Sequence, residues 1–259
     1  MGTVKAMSTE FATLAPSRAL EQVPSPWPDT QLWLARLSCT DLQQLDLLRP
    51  DEAARAERFV FDADRRRYVA AHVALRLVLQ DANAVAASPP YELGAYGKPA
   101  LAGGALPHFS LSHSGDWALI GTSTRQEIGV DIESTRDLDD MSDLARRLFT
   151  PSERDDLERL RGCDRERGFF HAWTRKEACV KAVGTGLTSE VSSLDTGLAS
   201  GLRTLYLERD GGACQIQVDS FDLEPQLVIA VSKVVANCIA RRIVPEPALS
   251  TTFPNSHST

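Results

Sequence analysis

Trp173, Glu177 and Lys181, in the segment AWTRKEACVKAVG, stand four residues apart. In an α-helix that spacing lines them up as one slowly drifting stripe. A carboxylate one turn before an ammonium can be an ordinary surface ion pair, worth about 0.3–0.5 kcal/mol. The same two groups could also bind and neutralise a charged substrate, and the segment alone does not choose. Asp131 and Glu133, in IGVDIE, are two apart, so on a strand both project from one face, with Gly129 leaving that face open to a close approach. Neighbouring carboxylates repel unless a cation lies between them, and oxygen-only ligands suit Mg²⁺. The other reading is a solvated strand face at a sheet edge. Adding Glu177 gives three hard ligands, Asp131, Glu133 and Glu177, and leaves coordination positions for water and a substrate phosphate.

FSLSHSG sets Ser112, His113 and Ser114 together but lacks the leading Gly of the G-x-S-x-G nucleophile elbow. The cluster suits either a phosphate contact or a hydrogen-bonded hairpin histidine. Lys98, on the G-K-P turn, offers an ammonium as a point charge. Arg55 and Arg58, then Arg65, Arg66 and Arg67, read either as solvated helix faces or as an anchor for a nucleotide phosphate. A nuclease-like D…E-x-K site is not formed, because Ser134 and Thr135 follow Glu133.

The elements that must carry these groups are legible. A strand is expected at Gln31 to Leu37, then a helix from Asp41 continuing through LLRPDEAARAERFVF. A strong helix follows at Asp64 to Leu79, its Val69, Val73 and Leu77 stripe lying opposite Arg65, Arg66 and Arg76. HFSLSHS and WALIGTS read as strands joined across Gly115 and Asp116, and IGVDIE as a half-buried strand. In FTPSERDDL, Thr150 is the N-cap, Pro151 the first helical residue and Glu153 the partner in a capping box. A long helix from about Arg165 ends at Gly184, and LRTLYLER, CQIQVDSF and LVIAVSK read as strands. Each half thus runs from a long helix that starts among arginines to a closing strand pair. Two related α+β halves are expected, 29–126 and 127–243, between loose ends at 1–28 and 244–259.

The net charge of −7 disfavours general nucleic-acid or membrane-surface binding. No apolar run reaches the roughly 20 residues of a membrane span. The start of the chain lacks the order of a secretory signal, and Ala6 breaks a myristoylation pattern. Cys39, Cys163, Cys179, Cys214 and Cys238 are odd in number and scattered, which predicts reduced cytosolic thiols.

Taken in order, GKP, FSLSHSG, GVDIE and WTRKEACVKAVGTG closely resemble the signature series of the Sfp-type 4'-phosphopantetheinyl transferases, from about Arg49 to beyond Leu187. The resemblance implies an α+β pseudo-dimer with its active site in the cleft between two similar halves. It implies Mg²⁺-dependent transfer of the phosphopantetheine arm of coenzyme A to a serine of an acyl, peptidyl or aryl carrier protein, releasing 3',5'-ADP. Asp131, Glu133 and Glu177 would hold the metal, and Glu177 and Lys181 are the catalytic pair. Lys181 contacts the pyrophosphate, and either Glu177 or a metal-bound water takes the serine proton. Lys98, Ser112 and His113 match positions that bind the coenzyme's phosphates. Arg55 falls where the family tends to carry a basic group for the 3'-phosphate, and Arg66 and Arg67 lie near the adenine end. Glu52 departs from the pattern, standing where some members carry a second lysine. A cytoplasmic monomer is implied, with the acidic carrier docking on Arg146, Arg147 and Arg159 or Arg161 near Phe149 and Trp173.

Overall fold

The computed structural model describes residues 19–83, 91–94, 96–185, 189–209 and 212–240. The expected loose tail at 244–259, and residues 1–18 of the expected loose start, lie outside them. In chain order the elements are β1 (Leu20–Val23), β2 (Thr30–Arg36), α1 (Pro50–Ala56), α2 (Asp62–Asn83), β3 (Tyr91–Leu93) and β4 (Pro99–Leu101). There follow β5 (His108–Ser114), β6 (Trp117–Ser123), β7 (Ile128–Ser134), α3 (Met141–Leu148), α4 (Pro151–Arg159) and α5 (Gly162–Val183). β8 (Arg203–Arg209), β9 (Gly212–Glu224) and β10 (Leu227–Ala240) close the series.

Two four-stranded antiparallel sheets, ordered β1-β2-β6-β5 and β7-β10-β9-β8, carry the α+β fold, beside a small β3-β4 ribbon. The sheets share a plan: a first strand, a long helix, and a hairpin whose second strand pairs with the first. β2, α2, β5 and β6 follow it in one sheet, and β7, α5, β9 and β10 in the other.

Alternation of side chains along the strands builds the layers. Leu32 and Leu34 of β2 and Leu119 of β6 turn inward to meet Ile128, Val130 and Ile132 of β7 and Ile229 and Val231 of β10, so the sheets pack face to face. On its outer face the first sheet receives Val69, Val73 and Leu79 of α2. The outer face of the second receives Cys179, Ala182 and Val183 of α5, against Ile216, Val218 and Val234. The order is therefore helix, sheet, sheet, helix, and it leaves β5 and β7 as adjacent sheet edges. Among the described residues no helix is long and apolar enough to cross a membrane.

Four expectations need correction. The N-terminal segment is not loose up to residue 28, because Leu20–Val23 pairs with β2 in register Leu20↔Ala35. The helix expected from Asp41 is replaced by short 3-10 turns at Thr40–Leu42 and Leu45–Leu47. The reason is Pro50: the residue before a proline is pushed to extended backbone, and Arg49 has ψ 156°, so α1 can only begin at the proline. Arg76 is not on a solvated face. It is fully buried, paired with Glu52 of α1 and set over the Tyr91 ring at 4.1 Å. Finally, Cys214 is disulfide-bonded, whereas Cys39, Cys163 and Cys179 are free thiols. Pairing depends on Cα separation in space, which sequence spacing does not report across strands.

Candidate functional site at the seam of the two sheets

The seam between β5 and β7 is built by hydroxyls. Alternate residues of β5, Ser110, Ser112 and Ser114, face β7. Ser110 Oγ accepts from the Val130 amide at 3.1 Å, Ser112 Oγ donates to Asp131 Oδ1 at 2.7 Å, and Ser114 Oγ donates to Glu133 Oε2 at 2.8 Å. The same Ser114 oxygen accepts from the Ser134 amide at 3.2 Å. Ser110 and Ser114 were not singled out from the sequence for this role, yet the S-x-S-x-S alternation in FSLSHS was the available signal.

Helix α5 supplies the other wall. Its stripe faces β7 as expected: Trp173 Nε1 donates to Glu133 Oε1 at 3.0 Å, while Lys181 Nζ donates to Asp131 Oδ1 at 2.7 Å and to Ser112 Oγ at 2.9 Å. Lys181 therefore pairs across to the strand rather than along its own helix to Glu177. The helix comes this close because β7 has no side chain at Gly129. A Cβ there would stand 2.0 Å from the Ala178 carbonyl oxygen and 2.3 Å from the Ala182 nitrogen. The open face read at Gly129 is thus filled by helix backbone. The helix is anchored behind by buried cations that donate away from the site. Lys176 pairs with Glu153 at 2.8 Å, and Arg175 donates to the carbonyls of Thr196 and Gly201 at 2.8 and 2.7 Å.

The electrostatics are those of a crowded acidic pocket with one cation. Burial, then the Asp131 charge, push the Glu177 carboxyl up to about 7 against the pull of Lys181. Burial also raises Asp131, opposed by Lys181 and Ser112, and raises Glu133, opposed chiefly by Ser114. Among the described residues no three His, Cys, Asp or Glu side chains are already gathered as a metal cage. The donor set nevertheless fits a hard divalent cation. Asp131 Oδ2 is buried without a partner, no hydrogen bond or ion pair among the described residues engages Glu177, and Asp131 raises both Glu133 and Glu177 while Glu133 also raises Glu177. Such oxygen donors with unmet charge are what Mg²⁺ takes.

The expected coenzyme-binding residues divide. Ser112 lies in the pocket, and His113 lies on the opposite face of β5. Partial burial and then the Lys181 ammonium hold the His113 imidazole below its usual range, with Asp131 opposing and Arg67 assisting. Arg67 donates to Asp116 at 2.9 Å and Asp64 at 3.3 Å, while the Arg66 side chain is exposed. Arg55 lies over the Tyr68 ring at 5.6 Å and, with Asp51, Ala54, Arg58 and Phe59, lines an open cleft of about 660 Å³. Lys98 does not stand open for a phosphate: its ammonium already donates to Glu127 Oε2, Ile128 O and Ala182 O. Glu52, which departs from the family pattern, is the buried partner of Arg76 and caps the Arg49 amide at 3.0 Å. In the expected docking region Phe149 is a core residue, 2 % exposed, Arg146 pairs with Asp143, and Arg159 pairs with Asp156 at 2.5 Å.

Comparison with known proteins points to a family. A family model described as the 4'-phosphopantetheinyl transferase superfamily matches residues 127–232, the span holding β7 and α5. The chain is 32 % identical to the 4'-phosphopantetheinyl transferase psf-1 of Bacillus pumilus over 200 residues, 75 % of this chain and 84 % of that protein. It is 36 % identical to HetI of a Nostoc strain over 168 residues, covering 61 % and 70 % of the two chains. With Sfp of Bacillus subtilis it shares 27 % over 189 residues, covering 72 % and 82 %. With two acidic strand residues, a helix Glu and a helix Lys meeting at one seam, and with relatives aligned over most of their length, this chain belongs to the 4'-phosphopantetheinyl transferase superfamily.

Proposed function

We infer that this chain moves the phosphopantetheine arm of coenzyme A onto a serine hydroxyl of a carrier protein, the activity that its family membership supports. The finer reading is a Mg²⁺-dependent enzyme of the holo-[acyl-carrier-protein] synthase type, acting as a cytoplasmic monomer on acyl, peptidyl or aryl carrier domains. We take residues 29–126 and 127–243 as the halves of a pseudo-dimer, a reading supported by their common strand order.

In the reaction the serine oxygen forms a bond to the phosphorus bearing the pantetheine arm. The bond from that phosphorus to the bridging oxygen breaks, and 3',5'-ADP leaves. Catalysis of such a transfer is chiefly positioning and neutralisation of charge on phosphate oxygens. Asp131, Glu133 and Glu177 are the residues that would hold Mg²⁺, which when bound supplies positive charge to the pyrophosphate. Lys181, held by Asp131 and Ser112, presents a fixed ammonium to the same phosphates. Glu177, raised to about 7, sits in the range where a carboxylate is basic enough to take the serine proton. Ser114 and Trp173 keep Glu133 aimed into the pocket. Ser112, His113, Arg55, Arg66 and Arg67 are the candidate contacts of the coenzyme's phosphates and adenine end.

The observation that carries the reading is the Lys181–Asp131–Ser112 contact beside Glu177, which has no partner among the described residues; the contact joins the two sheets at one charged point. The test is the intact mass of an apo carrier domain after incubation with the protein, coenzyme A and Mg²⁺. A gain of one phosphopantetheine arm, lost in Glu177→Ala and Lys181→Ala, supports it. No gain on carriers of several classes, despite coenzyme A binding, refutes it.

A further inference from the structure

Lys98, in the signature series, holds a position that departs from the role the resemblance assigns to it. It precedes β4, in the first half of the chain, but its ammonium reaches the second. Nζ donates at 2.5 Å to Glu127 Oε2, at 3.2 Å to the Ile128 carbonyl and at 2.8 Å to the Ala182 carbonyl. Glu127 is held from its other oxygen by His108 Nδ1 at 3.4 Å. Ala182 lies in the last turn of α5, where carbonyl groups run out of helical donors, and it directly follows Lys181. The Lys98 stem packs where α5 ends. A Cβ on Gly184, whose φ is +74°, would stand 3.2 Å from Lys98 Cδ. A proline fixes the next position of the turn, Pro99, and Lys98 itself is largely buried, with 18 % of its side chain exposed. The rest of the same turn of α5 is fastened to the second sheet, through Ser232 Oγ donating to the Ala178 carbonyl at 2.9 Å and through the close approach at Gly129.

We propose that Lys98 is a positioning residue, a cap supplied by one half to the helix of the other, which docks the last turn of α5 on the Glu127 junction. By doing so it sets where the Lys181 ammonium stands between Asp131 and Ser112. The inference rests on the transferase reading above and reassigns Lys98 within it, from a phosphate contact to a part of the frame. An ammonium suits this place because its three donors point apart like the legs of a tripod, toward one carboxylate and two carbonyls. A guanidinium presents its donors in a flat fork and does not reproduce that pattern, although it serves a phosphate as well as lysine does or better. The two roles therefore answer differently to Lys98→Arg.

Wild type, Lys98→Met and Lys98→Arg are compared by steady-state kinetics with apo carrier, by calorimetric Kd for coenzyme A and 3'-dephospho-coenzyme A, and by amide exchange along α5. Both variants should lose about tenfold or more in kcat, because small misplacement of reacting groups is costly. The Kd for coenzyme A and the preference over its dephospho form should stay within about twofold, since no phosphate contact is lost. The Gly184 amide, bonded to Val180 O at 2.7 Å, should exchange faster in both variants, while the amides of β5 and β6 do not change. An unchanged kcat in Lys98→Met overturns the proposal. So does a weaker Kd for coenzyme A with loss of the 3'-phosphate preference that Lys98→Arg restores. Should Lys98→Met fail to fold, Glu127→Gln carries the same test: a fall in kcat at unchanged Kd supports the docking, and wild-type kcat overturns it. If wild type itself transfers nothing to any carrier, the transferase reading fails. The exchange data still decide whether Lys98 holds the end of α5.

Discussion

Substituting Gly129 by alanine tests the geometry of the whole site with a single methyl group. On the present backbone the new Cβ would lie 2.0 Å from Ala178 O, 2.3 Å from Ala182 N and 2.9 Å from the Lys181 carbonyl carbon. All three are backbone atoms, so no side-chain rotation relieves the contact. An ordinary non-bonded contact is about 3.5 Å, so this turn of α5 must retreat by roughly 1.5 Å. Lys181 has a long stem that can follow the strand, but Glu177 has a short one and moves with the helix. Displacement of about 1 Å near a reacting centre costs on the order of 10²-fold in rate. Overpacking of this kind costs ~1–3 kcal/mol, which in a chain of this size lowers Tm by roughly 2–10 °C. Gly129→Ala should therefore fold, melt earlier by calorimetry, and lose most of its carrier-modifying rate in a mass-resolved time course. Wild-type Tm together with a rate within about twofold of wild type would refute the claim that helix backbone fills this position.

Three further outcomes follow from the same contacts. Glu52→Lys, which installs the residue some family members carry, would set a second cation against the buried Arg76 and should cost ~3–5 kcal/mol in urea unfolding. Equal stability would mean that the Glu52 to Arg76 pair does not hold α1 against α2. The His108 hydrogen bond, then the Lys98 charge, hold the Glu127 carboxyl at about 2, below its ordinary 4.5, against the opposing effect of burial. A depressed folded-state value stabilises the protein above the unfolded-state value, so this stability is lost as pH falls from about 4.5 toward 2. Glu127→Gln should flatten that part of a stability-against-pH curve, and an unchanged acid slope would count against the pairing. Chelation with EDTA should abolish carrier modification and leave the circular dichroism spectrum unchanged, because the sheets and α5 are held by contacts that need no metal. Unfolding on chelation would make the metal structural instead.

Much of this was readable along the chain. Thr150 and Glu153 form the capping box, Gly184 ends α5 in the left-handed region, and Gly115 turns β5 into β6, as local chemistry required. Period-two alternation put Asp131 and Glu133 on one face of β7, and period-four spacing put Trp173, Glu177 and Lys181 on one face of α5. These signals were legible because side-chain direction in a regular element is set by backbone geometry alone. A repeated order of elements was legible too, with little likeness of letters, and the two sheets follow it.

What the tertiary structure decided was which groups meet. Lys181 had a carboxylate four residues away in its own helix, yet it pairs with Asp131, fifty residues distant, because α5 lies flat on Gly129. From the sequence, Lys98 read as a phosphate contact and Arg76 as a residue opposite the apolar stripe of its helix. Packing spends one on the end of a helix and buries the other beside Glu52. Glu153 read as a cap and proved also to be the buried counter-ion of Lys176. Sequence determines which side chains are available and the direction each leaves its element. The partner of a charge is set by which elements the packed core brings within a few ångströms, since buried charges keep only partners that geometry delivers.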